Sequence, residues 1–353
     1  MDKESRLKQR AINTEKTLMH ALKIMDSTEF RSLLVLDNEE HFVGILSIGD
    51  IQRAIIQNKS LETPITEVLR KNIRVAQLSD SFESIKRMML EYRMEFCPVV
   101  NSSNEITEVY YWEDLFIDKK PQPVKEFELP VVIMAGGLGT RLRPLTNVIP
   151  KPLIPLGNKT ILEEIFDRFA LYGCNQFHIS VNYKSDLIAY YLENLKLSYK
   201  ISYLKENKPL GTAGSLFLLK DSISSSFFVT NCDILVEQDY SEILDYHREN
   251  NNEITVVAAL KHYSIPYGTI ETGDNGRLLK LTEKPELTLK INSGMYILEP
   301  HLLKQIPENT FFNITDLIEK IIIRNGRVGV FPVSQQSWRD IGDWNEYLNQ
   351  IKS

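Results

Sequence analysis

Within Val131 to Pro155, VVIMAGGLGTRLRPLTNVIPKPLIP, three glycines fall in four residues (Gly136, Gly137 and Gly139), and Arg141, Arg143 and Lys151 follow. Glycines let a backbone approach a polyanion closely and aim successive N–H groups at its oxygens, and the cations add positive charge. That combination suits a phosphate chain. Farther along stand two carboxylates of interest, Asp233 in FFVTNCDILV and Asp340 in WRDIGD. An ionised acid just after a buried strand is costly unless a cation pairs with it, and Mg²⁺ takes one or two such carboxylates together with phosphate oxygens and water. Each acid also has a plain structural reading, as a turn residue or a cap.

Three better-known glycine loops are excluded by particular residues. The dinucleotide fingerprint needs a glycine where Leu142 stands, and RPLTNVIPKP is too rich in proline to open that motif's helix. The NTPase phosphate loop needs Gly-Lys before Ser or Thr, but Thr140 and Arg141 follow Gly139. A kinase loop lacks its HRD and DFG partners.

The stretch resembles the signature of the sugar-1-phosphate nucleotidyltransferases, GGxGTRLxPLT followed by PKPLIP. The resemblance implies a doubly wound, mainly parallel α/β fold that joins a nucleoside triphosphate to a sugar 1-phosphate, with Mg²⁺, and releases pyrophosphate. It implies that Met134, Ala135, Gly136, Gly137, Gly139, Thr140 and Arg141 wrap the triphosphate. Arg141, Lys151 and Asp233 are then the catalytic residues, and Asp233 and Asp340 share the metal. After Asp340 this chain has Gly342 and Asp343, where many members have Gly-Thr.

The base pocket falls on ENKPLGTAGSL, with Glu206, Gly211 and Thr212 as its binding residues. Gly211 and Gly214 are read as admitting a planar base, and Thr212 and Ser215 as opening the following helix. PLGTAGSL is similar to the segment of GDP-mannose pyrophosphorylases, which makes GTP the preferred triphosphate, although cytidylyl and uridylyl relatives also use Gly-Thr-Ala. The family's sugar-phosphate positions fall on Gly268, Glu283, Lys284 and Asn292. A carboxylate accepts hydrogen bonds from sugar hydroxyls and a lysine meets a phosphate. The attacking group in such a transfer is already an anion, so the protein needs no nucleophile of its own. It must hold two anions in line and neutralise the departing pyrophosphate.

Alternating apolar runs predict the scaffold for these residues. Strands and helices alternate from Val131 to Thr230, as in a mainly parallel sheet with ligands at the carboxyl ends of its strands. Glu253–Leu260, Thr269–Thr272, Leu278–Thr282 and Ile291–Leu298 read as strands of an added, partly antiparallel layer. Ile314–Arg324 reads as a helix, Val328–Val333 as a last strand and Trp344–Ile351 as a last helix. Lys119–Pro130, with three prolines, reads as a linker.

Residues 1–118 contain one unit twice, over about 10–60 and 70–118, each with a helix, two strands about a polar turn (DNEE, then NSSN) and a closing helix. The pair resembles a tandem CBS domain. That resemblance implies an adenine nucleotide bound through the hydroxyl and carboxylate of GILSIGD, Ser47 and Asp50. In the second repeat Tyr111 replaces the hydroxyl residue and only Asp114 remains. The alternative is that Ser47 caps a helix and Asp50 favours its positive end. CBS-linked members of the family serve bacterial cell-surface sugar pathways, which puts glucosamine 1-phosphate first, ahead of mannose and heptose 1-phosphates. A homo-oligomer is expected from paired CBS modules. The rival from another class is a nucleotide sensor with an inert transferase domain.

The 353 residues carry 41 basic and 47 acidic side chains, a net charge of -6, and neither part is basic, so nucleic acid is excluded as a partner. The charged start, MDKESRLKQR, and the lack of any run near 20 apolar residues lead to the expectation of a cytoplasmic protein without membrane spans. Cys97, Cys174 and Cys232 form no CxxC pair and read as reduced packing residues.

Overall fold

The computed structural model describes residues 3–116, 125–342, 344 and 346–348. It divides into two units, Met1–Gln122 and Pro123–Ser353. The first holds α1 (Lys3–Gln9), β1 (Ala11–Asn13), α2 (Leu18–Thr28), β2 (Ser32–Leu36), β3 (Phe42–Ser47) and α3 (Ile48–Ile56). The same order returns as β4 (Ala76–Gln77), α4 (Phe82–Tyr92), β5 (Phe96–Val100), β6 (Ile106–Tyr111) and α5 (Trp112–Leu115). Each half forms a three-stranded sheet whose first pair is parallel and second antiparallel.

The leading strands β1 and β4 were not legible, because three and two residues are too few to show alternation. Both hairpins turn by the same device. Asp37 Oδ1 accepts from the amides of Glu39 and His41, and Asn101 Oδ1 from those of Ser103 and Glu105, each at 2.9 Å. Leu34 of the first half packs with Phe96 and Tyr111 of the second, which is the shared face.

The segments before β1 and β4 are exchanged between the halves. Arg70, ahead of β4, donates from Nε to Asp50 Oδ1 at 2.8 Å and from Nη2 to Ser47 Oγ at 2.8 Å. Arg6, ahead of β1, donates from Nη1 to both oxygens of Asp114, at 2.8 and 3.1 Å. Each leader thus fastens the acid of the opposite half.

The second unit begins with β7 (Val131–Met134), the short pair β8 (Pro155–Leu156) and β9 (Lys159–Thr160), α6 (Ile161–Ala170), β10 (Gln176–Val181), α7 (Ser185–Asn194) and β11 (Lys200–Lys205). It continues with β12 (Phe227–Asn231), β13 (Ile234–Val236), α8 (Tyr240–Glu249), β14 (Ile254–Ser264), β15 (Thr269–Thr272), β16 (Leu278–Thr282) and β17 (Glu286–Leu298). It closes with α9 (Ile314–Ile323), β18 (Val328–Val333) and β19 (Trp338–Asp340). Seven strands make one sheet in the order β11-β10-β7-β12-β17-β14-β18, parallel except where β17 runs antiparallel to β12 and β14.

Alternation along the strands fills both faces. Val132, Val229 and Tyr296 pack with Ile314, Leu317 and Ile321 of α9 on one side. On the other, Phe169 of α6 lies edge-on to Phe228 and against Tyr240 of α8. A fully buried Phe stabilises the fold by about 1.5–3 kcal/mol, so this aromatic layer is a major part of the core.

Three expectations are corrected. Strands β14 and β17 belong to the main sheet, and only β15 and β16 stand apart as a two-stranded ribbon. Gly214–Leu219 is a 3-10 turn and not an α-helix. Of the predicted linker, 119–124 lie outside the described residues, while Phe127 stacks on Tyr172 and Phe228 at 5.2 and 5.5 Å between ring centres, because its apolar ring extends the aromatic layer. The predicted final helix lies partly outside the described residues. Among the described residues no helix is long and apolar enough to cross a membrane.

Candidate active site

Strand β7 is flanked by β10 and β12, so its carboxyl end opens at the middle of the parallel sheet. Ala135 continues it, its amide donating to Ser180 O at 2.9 Å, and then the glycines begin. Gly139 has φ +62°, and a Cβ there would lie 2.8 Å from Thr146 Cγ2 and 3.3 Å from Lys151 Cβ. Glycine is therefore required for the loop to fold down onto the segment that carries Lys151. Thr146 Oγ1 donates to Gly139 O at 2.8 Å and fixes that closure. The buried Leu142 anchors the turn Thr140–Leu142, from which Arg141 projects outward.

Asp233 sits between β12 and β13 and is buried. Its carboxylate pairs with the Lys151 ammonium. Asp340 is brought beside it because β19 pairs antiparallel with β13, placing Ile234 opposite Asp340. Arg141 bridges the two acids, with Nη2 at 3.6 Å from Asp233 Oδ2 and Nη1 at 3.6 Å from Asp340 Oδ2. The Gly342 amide donates to Asp340 Oδ1 at 2.8 Å. A Cβ at Gly342 would lie 2.4 Å from Asp340 Oδ1, 2.7 Å from Arg141 Nη2 and 2.8 Å from Asp233 Oδ2, so all three groups face one point. Hard carboxylate oxygens converging in this way form a donor set that fits a divalent cation such as Mg²⁺.

Beneath the glycines, Glu206 closes off β11. A Cβ at Gly136 would lie 3.0 Å from Glu206 Oε1, so the loop and the carboxylate are neighbours. Ser180 Oγ and the Leu210 amide donate to this carboxylate, and Asn182 Nδ2 donates to its backbone oxygen at 2.7 Å. Ser180 and Asn182 were not found from sequence, and Ser215, read there as opening a helix, instead completes the network through a 2.8 Å bond with Ser180. The only signal of Ser180 and Asn182 there was polarity amid an apolar run.

The glycines of PLGTAGSL have a packing role of their own. Gly211 has φ +79° and a Cβ there would lie 2.7 Å from Phe312 O, while one at Gly214 would lie 2.7 Å from Thr310 O. Both are required by packing against residues 310–313. Thr212 does not open its own helix: its Oγ1 accepts from the Ile314 amide at 3.0 Å, at the start of α9.

Of the sugar-phosphate positions, Gly268 and Glu283 are brought together, since a Cβ at Gly268 would lie 2.9 Å from Glu283 Oε2. Lys284 follows, exposed and with φ +44°. Asn292 lies on β17 of the main sheet, paired with Ala258 of β14. Its Oδ1 accepts from Tyr296 Oη at 2.9 Å, and it lines a groove of about 560 Å³ with Ala258, Lys290, Ile318 and Ile322.

In the first unit, Ser47 and Asp50 form a capping box on α3, with the Asp50 amide 3.3 Å from Ser47 Oγ and the Ser47 amide 2.8 Å from Asp50 Oδ2. Arg53 and Arg70 both hold the buried Asp50 carboxylate. Leu69 and Ile73 close over the same strand, at 3.4 and 3.1 Å from the position of a Gly44 Cβ. All three cysteines are free and buried, and burial pushes the thiols of Cys97, Cys174 and Cys232 up to about 11, 12 and 12, which makes them inert packing residues.

Comparison with known proteins agrees with this geometry. A family model described as nucleotidyl transferase matches residues 130–353, and one for the CBS domain matches residues 10–57. The catalytic subunit beta of mannose-1-phosphate guanylyltransferase from Dictyostelium discoideum is 34% identical over 240 residues, covering 64% of this chain and 66% of that protein. Mannose-1-phosphate guanylyltransferase 1 from Arabidopsis thaliana is 31% identical, covering 64% of each chain. The chain thus spans slightly under two thirds of the length of these relatives. The crystal structure of HddC from Yersinia pseudotuberculosis is 27% identical with a TM-score of 0.51, covering 64% of this chain and 98% of that one. A second structure of HddC, complexed with GMP-PN, is 25% identical with a TM-score of 0.50, again over 64% and 98%. A glycine loop, two cations and two acids converging at the end of a parallel strand, under a family match of this length, lead to one conclusion: the chain belongs to the nucleotidyl transferase family.

Proposed function

We propose that the protein is a sugar-1-phosphate guanylyltransferase, which makes a GDP-sugar and pyrophosphate from GTP and a sugar 1-phosphate. The observation that carries this reading is the meeting of Arg141, Lys151, Asp233 and Asp340 beside the glycine loop. The sugar phosphate's own oxygen attacks the α-phosphorus, the bond to the β-phosphate oxygen breaks, and pyrophosphate leaves. Lys151 meets the α-phosphate and Arg141 the leaving phosphates, which the loop amides of residues 135–140 also hold. Both cations pair with carboxylates before substrate arrives, so they are held in place and exchange partners on binding. Asp233 and Asp340 would hold Mg²⁺, which supplies neutralisation of the triphosphate charge.

Glu206 supports guanine. Its carboxylate has about four lone-pair sites, of which Ser180 and Leu210 engage two. Guanine offers two adjacent donors, N1–H and N2–H, whereas uracil and thymine offer one N–H on that edge. The relatives named above act on mannose 1-phosphate, which favours it over glucosamine 1-phosphate. Gly268 and Glu283 are the residues proposed to meet the sugar, with Lys284 on its phosphate. The test is pyrophosphate release from each of the four triphosphates with mannose, glucosamine, N-acetylglucosamine, glucose and heptose 1-phosphates. Turnover confined to UTP or dTTP overturns the base, and none at all overturns the reaction in favour of a sensor.

An adenine nucleotide at Ser47 and Asp50 competes with Arg70 for the same oxygens. Calorimetry with AMP and ATP on the wild type and Arg70→Ala tests this regulatory role, and no heat with either protein leaves helix capping as the function of both residues. Self-association is proposed with it, to be tested by light scattering.

A further inference from the structure

The four charged groups at the centre of the site neutralise one another: Arg141 and Lys151 stand against Asp233 and Asp340. A sugar 1-phosphate adds close to two negative charges near neutral pH, since a phosphate monoester's second pKa is about 6. The approach of that dianion to a triphosphate therefore calls for cations beyond this neutral core. Lys261 is such a cation, and neither its sequence neighbourhood nor the family signature marks it.

Lys261 lies on β14, half-buried, with Nζ 5.9 Å from the ring centres of both Tyr263 and Trp338. Among the described residues it has no hydrogen bond and no carboxylate partner. Trp338 ties it to the reaction centre. The indole belongs to β19, two residues before Asp340, so both side chains project from one face of that strand. Its Nε1 donates to Ser293 O at 3.1 Å, which pins the ring between β17 and β19. An ammonium seated against aromatic rings keeps its three donors for another acceptor, and rings that exclude water strengthen whatever pair it then forms.

We infer that Lys261, seated by Trp338 and Tyr263, binds the phosphate of the incoming sugar 1-phosphate, as a second lysine beside the proposed Lys284. This rests on the reaction proposed above. The experiment uses the full chain, GTP, Mg²⁺ and whichever sugar 1-phosphate turns over in the substrate panel. KM for each substrate is measured for the wild type, Lys261→Met and Lys261→Arg. Losing a charge-assisted hydrogen bond should raise the sugar-phosphate KM of Lys261→Met roughly 10–100-fold. The GTP KM and the melting temperature should stay near wild type, and Lys261→Arg should recover most of the loss. A methionine that only loosened the packing would raise both KM values and lower the melting temperature. That result, or an unchanged sugar-phosphate KM, overturns the assignment while leaving the reaction intact. A wild type without turnover overturns both.

Discussion

Lys151 and Asp233, 82 residues apart in sequence, form an ion pair in which each side chain is only 11% exposed. A nearly buried pair of this kind is stable only while both partners remain, since a lone buried charge pays its desolvation cost uncompensated. In the proposed reaction it is a preset arrangement of charge that substrate phosphates and Mg²⁺ would rearrange.

Asp233→Asn should accordingly lose turnover by roughly 10²–10³-fold, the usual cost of removing one preorganised group. Pyrophosphate release measures this; the melting temperature should fall as well, since Lys151 loses its carboxylate, while circular dichroism well below it should still show a folded chain. Activity within a few-fold of wild type would remove Asp233 from the mechanism.

Gly342→Ala tests convergence without touching a charge. The added methyl would fall within 2.8 Å of Asp340, Arg141 and Asp233 together, so turnover should drop at least tenfold. Because Gly342 lies in a turn after the last strand, the melting temperature should change little. A fully active variant would mean that the three groups do not meet in the working enzyme.

Glu206→Gln keeps one acceptor and should leave the contact with Ser180 or Leu210 in place. It replaces the other acceptor by a donor, which faces guanine's own donors unfavourably. The KM for GTP should rise roughly 10–100-fold, with the sugar-phosphate KM unmoved. Equal loss with all four triphosphates would show that Glu206 supports the loop and does not read the base.

Burial holds the His178 and His247 imidazoles below the ordinary 6.5, with Glu299 opposing the effect at His247. Below that value the unfolded chain binds protons that the folded chain refuses. Stability is therefore fully present above 6.5, falls as pH drops toward the folded-state values, and levels off once both forms are protonated. Thermal melts should show a lower Tm at about pH 5.5 than at about pH 7.5, by a few degrees for a unit of this size. The slope should flatten in a His178→Gln, His247→Gln double variant.

Much of this was legible in the chain. Val131–Met134, Thr269–Thr272, Leu278–Thr282 and Val328–Val333 occupy their expected ranges, since short runs bounded by turn residues have few other ways to pair. Helix α8 was missed because YSEILDYHRE interleaves acids with its apolar positions, and only burial of Tyr240, Ile243 and Leu244 against the sheet reveals its stripe. Gly211 and Gly214 were singled out for a base pocket, and the packing role they also have was hidden: their neighbours are residues 310–313, which no local pattern indicates. Lys261 was invisible for the same cause. Its seat is completed by Trp338, and a sequence does not say which distant ring a lysine will meet.

The exchanged leaders of the first unit bear on how it can be divided. A cut between α3 and β4 that left residues 65–74 with the second fragment would part Arg70 from Asp50 and Arg6 from Asp114 at once. Each fragment would then hold the arginine that braces its counterpart's acid, leaving Asp50 to Arg53 and Ser47 alone and Asp114 to water. The halves should behave as complementing fragments, poorly folded apart and recovering structure when mixed, so a graft of either one into another protein would have to bring its counterpart's leader with it.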